Sequence, residues 1–134
     1  MKIKIAIIVE DSMSRVWDCW TEEEHIKGWY HALDTWYVPS AEINFKESGK
    51  FKINMADMDK SGSLSFAGVY TSIKKHEEIC FTIDDGRKVV VTFEAVEKGV
   101  LVIEEFEATS TQPPAAQEMG WQLILKNFKS YVEN

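Results

Sequence analysis

The side chains of this 134-residue chain that could do chemistry are few and scattered. Glu104, Glu105 and Glu107 stand at the end of an otherwise apolar stretch that begins at Val100. In a strand, successive side chains point to opposite faces, so Glu105 shares a side with Leu101 and Ile103. If that side is the interior, Glu105 can orient a ligand hydroxyl, or act as a general base once burial raises its pKa. If the strand end is open, Glu105 is a solvated carboxylate; the sequence leaves both readings standing. His25, His31 and His76 do not fall at metal-ligand spacing, and Cys19 and Cys80 form no CxxC pair. No metal site and no cofactor are therefore expected, and both cysteines read as free thiols within the packing. No nucleophile elbow, phosphate-binding loop or GxGxxG turn is present. The residues favour binding over turnover and nominate no catalytic group.

What the chain has in quantity is aromatic surface, 12% of its residues with five tryptophans among them. Trp29, Trp36, Phe51, Phe66 and Tyr70 suit the wall of a pocket for a flat, greasy molecule, because rigid rings bury much area at small entropic cost. Each also suits an ordinary core. Met55 and Met119 fit either role, as unbranched thioethers repack around differing shapes. With Glu105 as polar anchor, these residues are the candidate ligand-binding set.

A formal charge of −7 with no basic stripe opposes a phosphate backbone, so nucleic acid is not an expected partner. The apolar run Ile5 to Val9 is far short of the roughly 20 residues of a membrane helix. The amino terminus alternates where a signal peptide would be continuously apolar. The expectation is a cytoplasmic protein with no membrane span and a small hydrophobic ligand as partner. A homodimer and a contact with a chaperone stay open, since no residue pattern selects either.

The elements that must position these residues follow from periodicity. Residues 2–10 alternate as a strand. Asp11 and Ser12 offer cap oxygens to a short helix in which Met13, Val16, Trp17 and Trp20 recur at helical spacing. Thr21 followed by three glutamates reads as a second cap, opening a helix that ends near Gly28. Residues 30–40 are irregular, with Pro39 disfavouring helix before it, and read as a loop. A brief strand at 42–45 and alternating segments at 50–55, 64–70, 79–83, 89–96 and 100–106 follow, separated by polar turns such as Asp85-Gly86. Gly68 inside a strand marks a bend or a close approach. After Pro113-Pro114 the period changes: Trp121, Ile124, Leu125, Phe128, Tyr131 and Val132 form one apolar stripe on a helix of about 18 residues. Strands grouped between terminal helices predict an α+β domain spanning 1–134, with a curved antiparallel sheet of six to seven strands around the long last helix.

The order of several short segments carries a resemblance. Val16-Trp17 with Trp20-Thr21, His25-Ile26 with Trp29, Trp36 through Glu42, Gly49-Lys50-Phe51, Asp84 through Val89, and Gly120-Trp121-Gln122 with Leu125 to Phe128 and Tyr131 to Glu133 are similar to the SRPBCC, or START-like, superfamily. The resemblance is to its small bacterial branch homologous to the activator of the heat-shock-protein-90 ATPase. It implies a helix-grip fold with a cavity between sheet and C-terminal helix, which in many superfamily members holds a lipid, sterol, polyketide or hormone. It implies no fixed catalytic motif. The expected function is binding of a mainly apolar ligand; a polyketide-cyclase-like or hydrolytic use of the cavity and a chaperone-associated interaction module are the alternatives.

Overall fold

A computed structural model describes residues 1–134. Strand β1 spans Lys2–Val9, and helices α1 and α2 span Met13–Thr21 and Glu23–Ile26. Six further strands follow: β2 Trp36–Ile43, β3 Lys50–Asp57, β4 Ser63–Lys74, β5 Glu78–Ile83, β6 Lys88–Val96 and β7 Gly99–Glu107. Helix α3, Pro114–Glu133, closes the chain. The strands make one curled antiparallel sheet in the order β1-β7-β6-β5-β4-β3-β2. Short turns pair neighbours in sequence, and the one long-range pairing sets β1 against β7, from Lys2 opposite Glu107 to Val9 opposite Val100.

Alternation on these strands selects the inner face. Ile3, Ile5 and Val9 of β1, Val89, Val91 and Phe93 of β6, and Val100, Val102 and Phe106 of β7 are all buried. Against this face lies α3, whose Leu125, Phe128 and Val132 are buried from the expected stripe. Its amino-terminal end has no side-chain cap at Pro113. Gln117, one turn in, instead binds the segment that precedes the helix: its amide accepts from the Thr109 N–H (2.8 Å) and donates to the carbonyls of Thr109 (2.9 Å) and Gln112 (2.8 Å). The other end is tied to β1. Lys129 Nζ donates to the Ile8 carbonyl (2.7 Å), and Glu133 accepts from both Lys129 (2.6 Å) and the Glu10 N–H (2.8 Å). A local clamp thus holds the start of the helix, and long-range contacts to Ile8 and Glu10 hold its end.

Two local expectations change and two hold. Ser12 caps α1, accepting from the Arg15 N–H, whereas Thr21 ends that helix by donating its hydroxyl back to the Trp17 carbonyl (2.9 Å). A hydroxyl bonded four residues back is a helix-terminal arrangement and is not free to cap the next turn. Residues from Trp36 onward are strand instead of loop. Pro39 is tolerated there because β2 is an edge strand and its register with β3 shifts between Tyr37 and Ser40. Gly68 does mark a close approach: a Cβ there would sit 2.4 Å from the Thr82 carbonyl oxygen and 3.0 Å from the Phe51 ring.

Candidate ligand site

The aromatic residues divide into two layers. On β3, Ile53 and Met55 are consecutive positions on one face, as are Phe66 and Leu64 on β4. The deeper pair, Ile53 and Phe66, joins Trp20, Ile26, Tyr30, Phe51, Tyr70 and Phe81 around an inner space of only about 30 Å³. That is room for about one water molecule. The outer pair, Met55 and Leu64, borders an open groove of about 350 Å³ between the β3–β4 tip and α3, completed by His31, Ala32, Leu33, Trp36, Gly120, Trp121 and Ile124. Between the layers stands the Phe66 ring, stacked on Tyr30 (centroids 5.6 Å apart, 26° between planes) and met edge-on by Trp121 (5.8 Å, 85°).

The candidate residues therefore do not form one wall. Phe51, Phe66 and Tyr70 line the inner space, and Trp36 and Met55 line the groove. Trp29 is 1% exposed, donates its indole N–H to the Cys19 carbonyl (3.0 Å) and packs on Trp20 and Phe128. It is core, because a ring enclosed by helix residues on several sides has no face left for a ligand. Met119 is 66% exposed on α3, off the apolar stripe, and lies outside the groove. The expected enclosed cavity beneath the long helix is filled by interlocking rings, and the larger apolar space is the groove beside it.

The polar anchor also moves by one residue. Glu105 projects from the outer face between Lys4 of β1 and Val90 of β6. Glu104, between Ile5 and Val91, points inward and is 4% exposed. Burial alone pushes its carboxyl up to about 8, so at neutral pH it is mostly a neutral acid. Two phenols are buried as well. Tyr30 is held well above its ordinary pKa by burial first and then by the Glu104 charge and Tyr70; Tyr70 is raised by burial.

Residues that periodicity did not nominate, Leu33, Leu64 and Gly120 among them, complete the groove. His31 donates through Nδ1 to the Leu33 carbonyl (3.0 Å), and Asn127 donates to the His31 carbonyl, which anchors the loop at the groove mouth to α3. The irregular stretch before Trp36 carried no periodic signal from which Leu33 could have been found.

The model for the family "Activator of Hsp90 ATPase homolog 1-like protein" matches residues 11–133. The chain belongs to this family. The AHSA1-like protein from Aeromonas hydrophila, solved in solution, superposes with a TM-score of 0.95 at 36% identity, over 99% of this chain and 92% of that one. A solution structure from Cytophaga hutchinsonii gives 0.84 at 40% identity, with 99% and 92% covered. A crystal structure of a protein from Chromobacterium violaceum shares the fold, at TM-score 0.89 and 19% identity over 100% and 99% of the two chains. A search of curated proteins finds no match. The AHSA1-like assignment agrees with the helix-grip architecture of seven strands and a long terminal helix. No helix is long and apolar enough to cross a membrane.

Proposed function

We propose that this AHSA1-like chain binds a small, mainly apolar ligand in the groove between α3 and the β3–β4 tip. The observation that carries the reading is the groove itself: about 350 Å³, with seven of its nine lining residues hydrophobic. That volume falls within the usual range for small-molecule sites. Affinity would come from apolar area removed from water, at about 25 cal/mol per Å² before the costs of association. Native mass spectrometry of the protein purified from its own host tests it directly, a co-purified mass that is lost on denaturation being the expected result. Trp36→Ala should weaken capture of that molecule at least about tenfold, the loss of one large apolar contact surface, with the fold retained. Unchanged binding by the folded variant would reject the groove.

A protein partner is the second reading. Leu33 and Leu64 at the groove rim are 54% and 60% exposed and extend the groove's apolar lining to the surface. The chaperone link of the family name belongs here. Pull-down of a defined partner that Leu64→Ser abolishes, with no co-purified small molecule, would favour this reading over the first.

A further inference from the structure

We propose that the groove continues along α3 into a cationic cleft at Arg15, and that the two together select an anionic amphiphile, a carboxylate head carried on an apolar chain. The inference rests on the groove reading and adds to it the chemical class of the ligand.

A second open space, of about 490 Å³, lies on the same flank of α3 beyond the groove. Gly120, Trp121 and Ile124 border the groove, whereas Asn127, Ser130, Tyr131 and Asn134 border the cleft. These positions succeed one another turn by turn along one side of the helix. His31 lines both spaces, so the apolar and polar halves meet at one side chain. From Trp121 to Ser130 is about 14 Å at the helical rise, a span that a medium-length alkyl chain bridges.

The walls of the cleft are built. The Tyr131 hydroxyl stands 2.8 Å from His25 Nδ1, and its ring lies over Gly28, where a Cβ would come within 2.4 Å of it. Any side chain at position 28 would push the phenol out of place. At the junction, His31 is held by its bond to the Leu33 carbonyl and by Asn127, which donates to the His31 carbonyl.

Charge sets the sign of the head group. Acidic side chains outnumber basic ones in this chain by 22 to 15, yet none lines the cleft, and Arg15 does. The four ion pairs of the chain engage His25, Lys27, Arg87 and Lys129, and Arg15 is in none of them. At the carbonyl end of α3, the other group to which a cation is drawn, Asn134 already donates its amide to the Ser130 carbonyl (2.5 Å). An unpaired guanidinium, in a cleft that also offers the Ser130 and Tyr131 hydroxyls, suits a carboxylate, which it can meet with two parallel hydrogen bonds. An ammonium head would meet a like charge.

Equilibrium dialysis of the full chain at neutral pH against decanol, decanoate and decylammonium, one body with three heads, tests this. Decanoate should bind about fivefold tighter than decanol, the worth of a charge-assisted contact in an open cleft. In about 1 M salt the preference should shrink below about twofold. Arg15→Gln should lower decanoate to the level of decanol, and Arg15→Lys should keep part of the preference. Lys88→Gln, at a residue that lines neither space, should keep all of it. Trp36→Ala should weaken decanol and decanoate alike. Equal affinity for the acid and the alcohol would overturn this inference and leave the groove reading intact. A preference that survives Arg15→Gln, or tightest binding of decylammonium, would overturn the assignment of the head group to Arg15. No binding of any probe would overturn the groove reading and this inference together.

Discussion

The indole of Trp121 lies flat on the ring of Phe106, centroids 3.8 Å apart and planes 8° from parallel. This stack joins α3 to the inner face of β7 through a residue that also lines the groove. Trp121→Ala should cost roughly 2–4 kcal/mol, less than a fully enclosed tryptophan because one side of this ring meets the groove. The denaturation midpoint should fall with an unchanged m-value. A loss below about 0.5 kcal/mol would mean the stack is not a structural contact.

Stability should fall with rising pH through Glu104. Unfolded, its carboxyl has the ordinary value of 4.5; folded, it stands at about 8. Between those values the unfolded chain has released a proton that the folded chain still holds, so each pH unit removes about 1.4 kcal/mol, levelling off above the folded value. The advantage is fully present below about pH 4.5 and gone above about 8. Urea melts of the native protein and of Glu104→Gln should diverge across this window, with only the native protein declining by several kcal/mol. Parallel curves would show that Glu104 ionises freely in the fold.

Two glycines should respond in opposite directions. Gly68→Ala forces a Cβ to 2.4 Å from a neighbouring strand's carbonyl and should cost about 1–3 kcal/mol, as overpacking does. A Cβ at Gly120 meets nothing within 4 Å, and the residue is interior to α3. Gly120→Ala should stabilise by roughly 0.5–1 kcal/mol through helix propensity alone. Thermal melts of the two variants check both signs.

Gln117→Ala removes three hydrogen bonds that tie the start of α3 to residues 109–112. The expected loss is about 2–3 kcal/mol, since the freed backbone groups are only part-buried and partly recover water. Hydrogen exchange should quicken in the first turns of α3 and stay slow around Phe128. Uniform acceleration along the helix would contradict a local clamp.

Most of the architecture was legible because the strands alternate and the last helix has a clear stripe. The helix ends, β2 and the site were less so. Pro39 is misleading only if β2 is assumed to be an interior strand; edge position depends on the final order of the sheet, which local sequence does not encode. The choice between Glu104 and Glu105 failed for a different reason. Strand β7 lies between two others and carries apolar residues on both faces, Val100 and Val102 inward, Leu101 and Ile103 outward. Period two then separates the faces without naming the inner one. For the aromatic set, the division between inner space and groove turns on how rings interlock, a property of three dimensions that spacing along the chain does not carry.

The pairing of β1 with β7 has a consequence during synthesis. Ile3, Ile5, Ile7, Ile8 and Val9 of β1 leave the ribosome well before β7, the strand that completes their hydrogen bonding and ends at Glu107. At about 5–20 residues per second, that sticky segment waits roughly 5–20 s without its permanent neighbour. The nascent chain thus carries an unpaired apolar strand through the synthesis of the rest of the sheet, and the lysines at positions 2 and 4 put repelling charge on that strand while it waits.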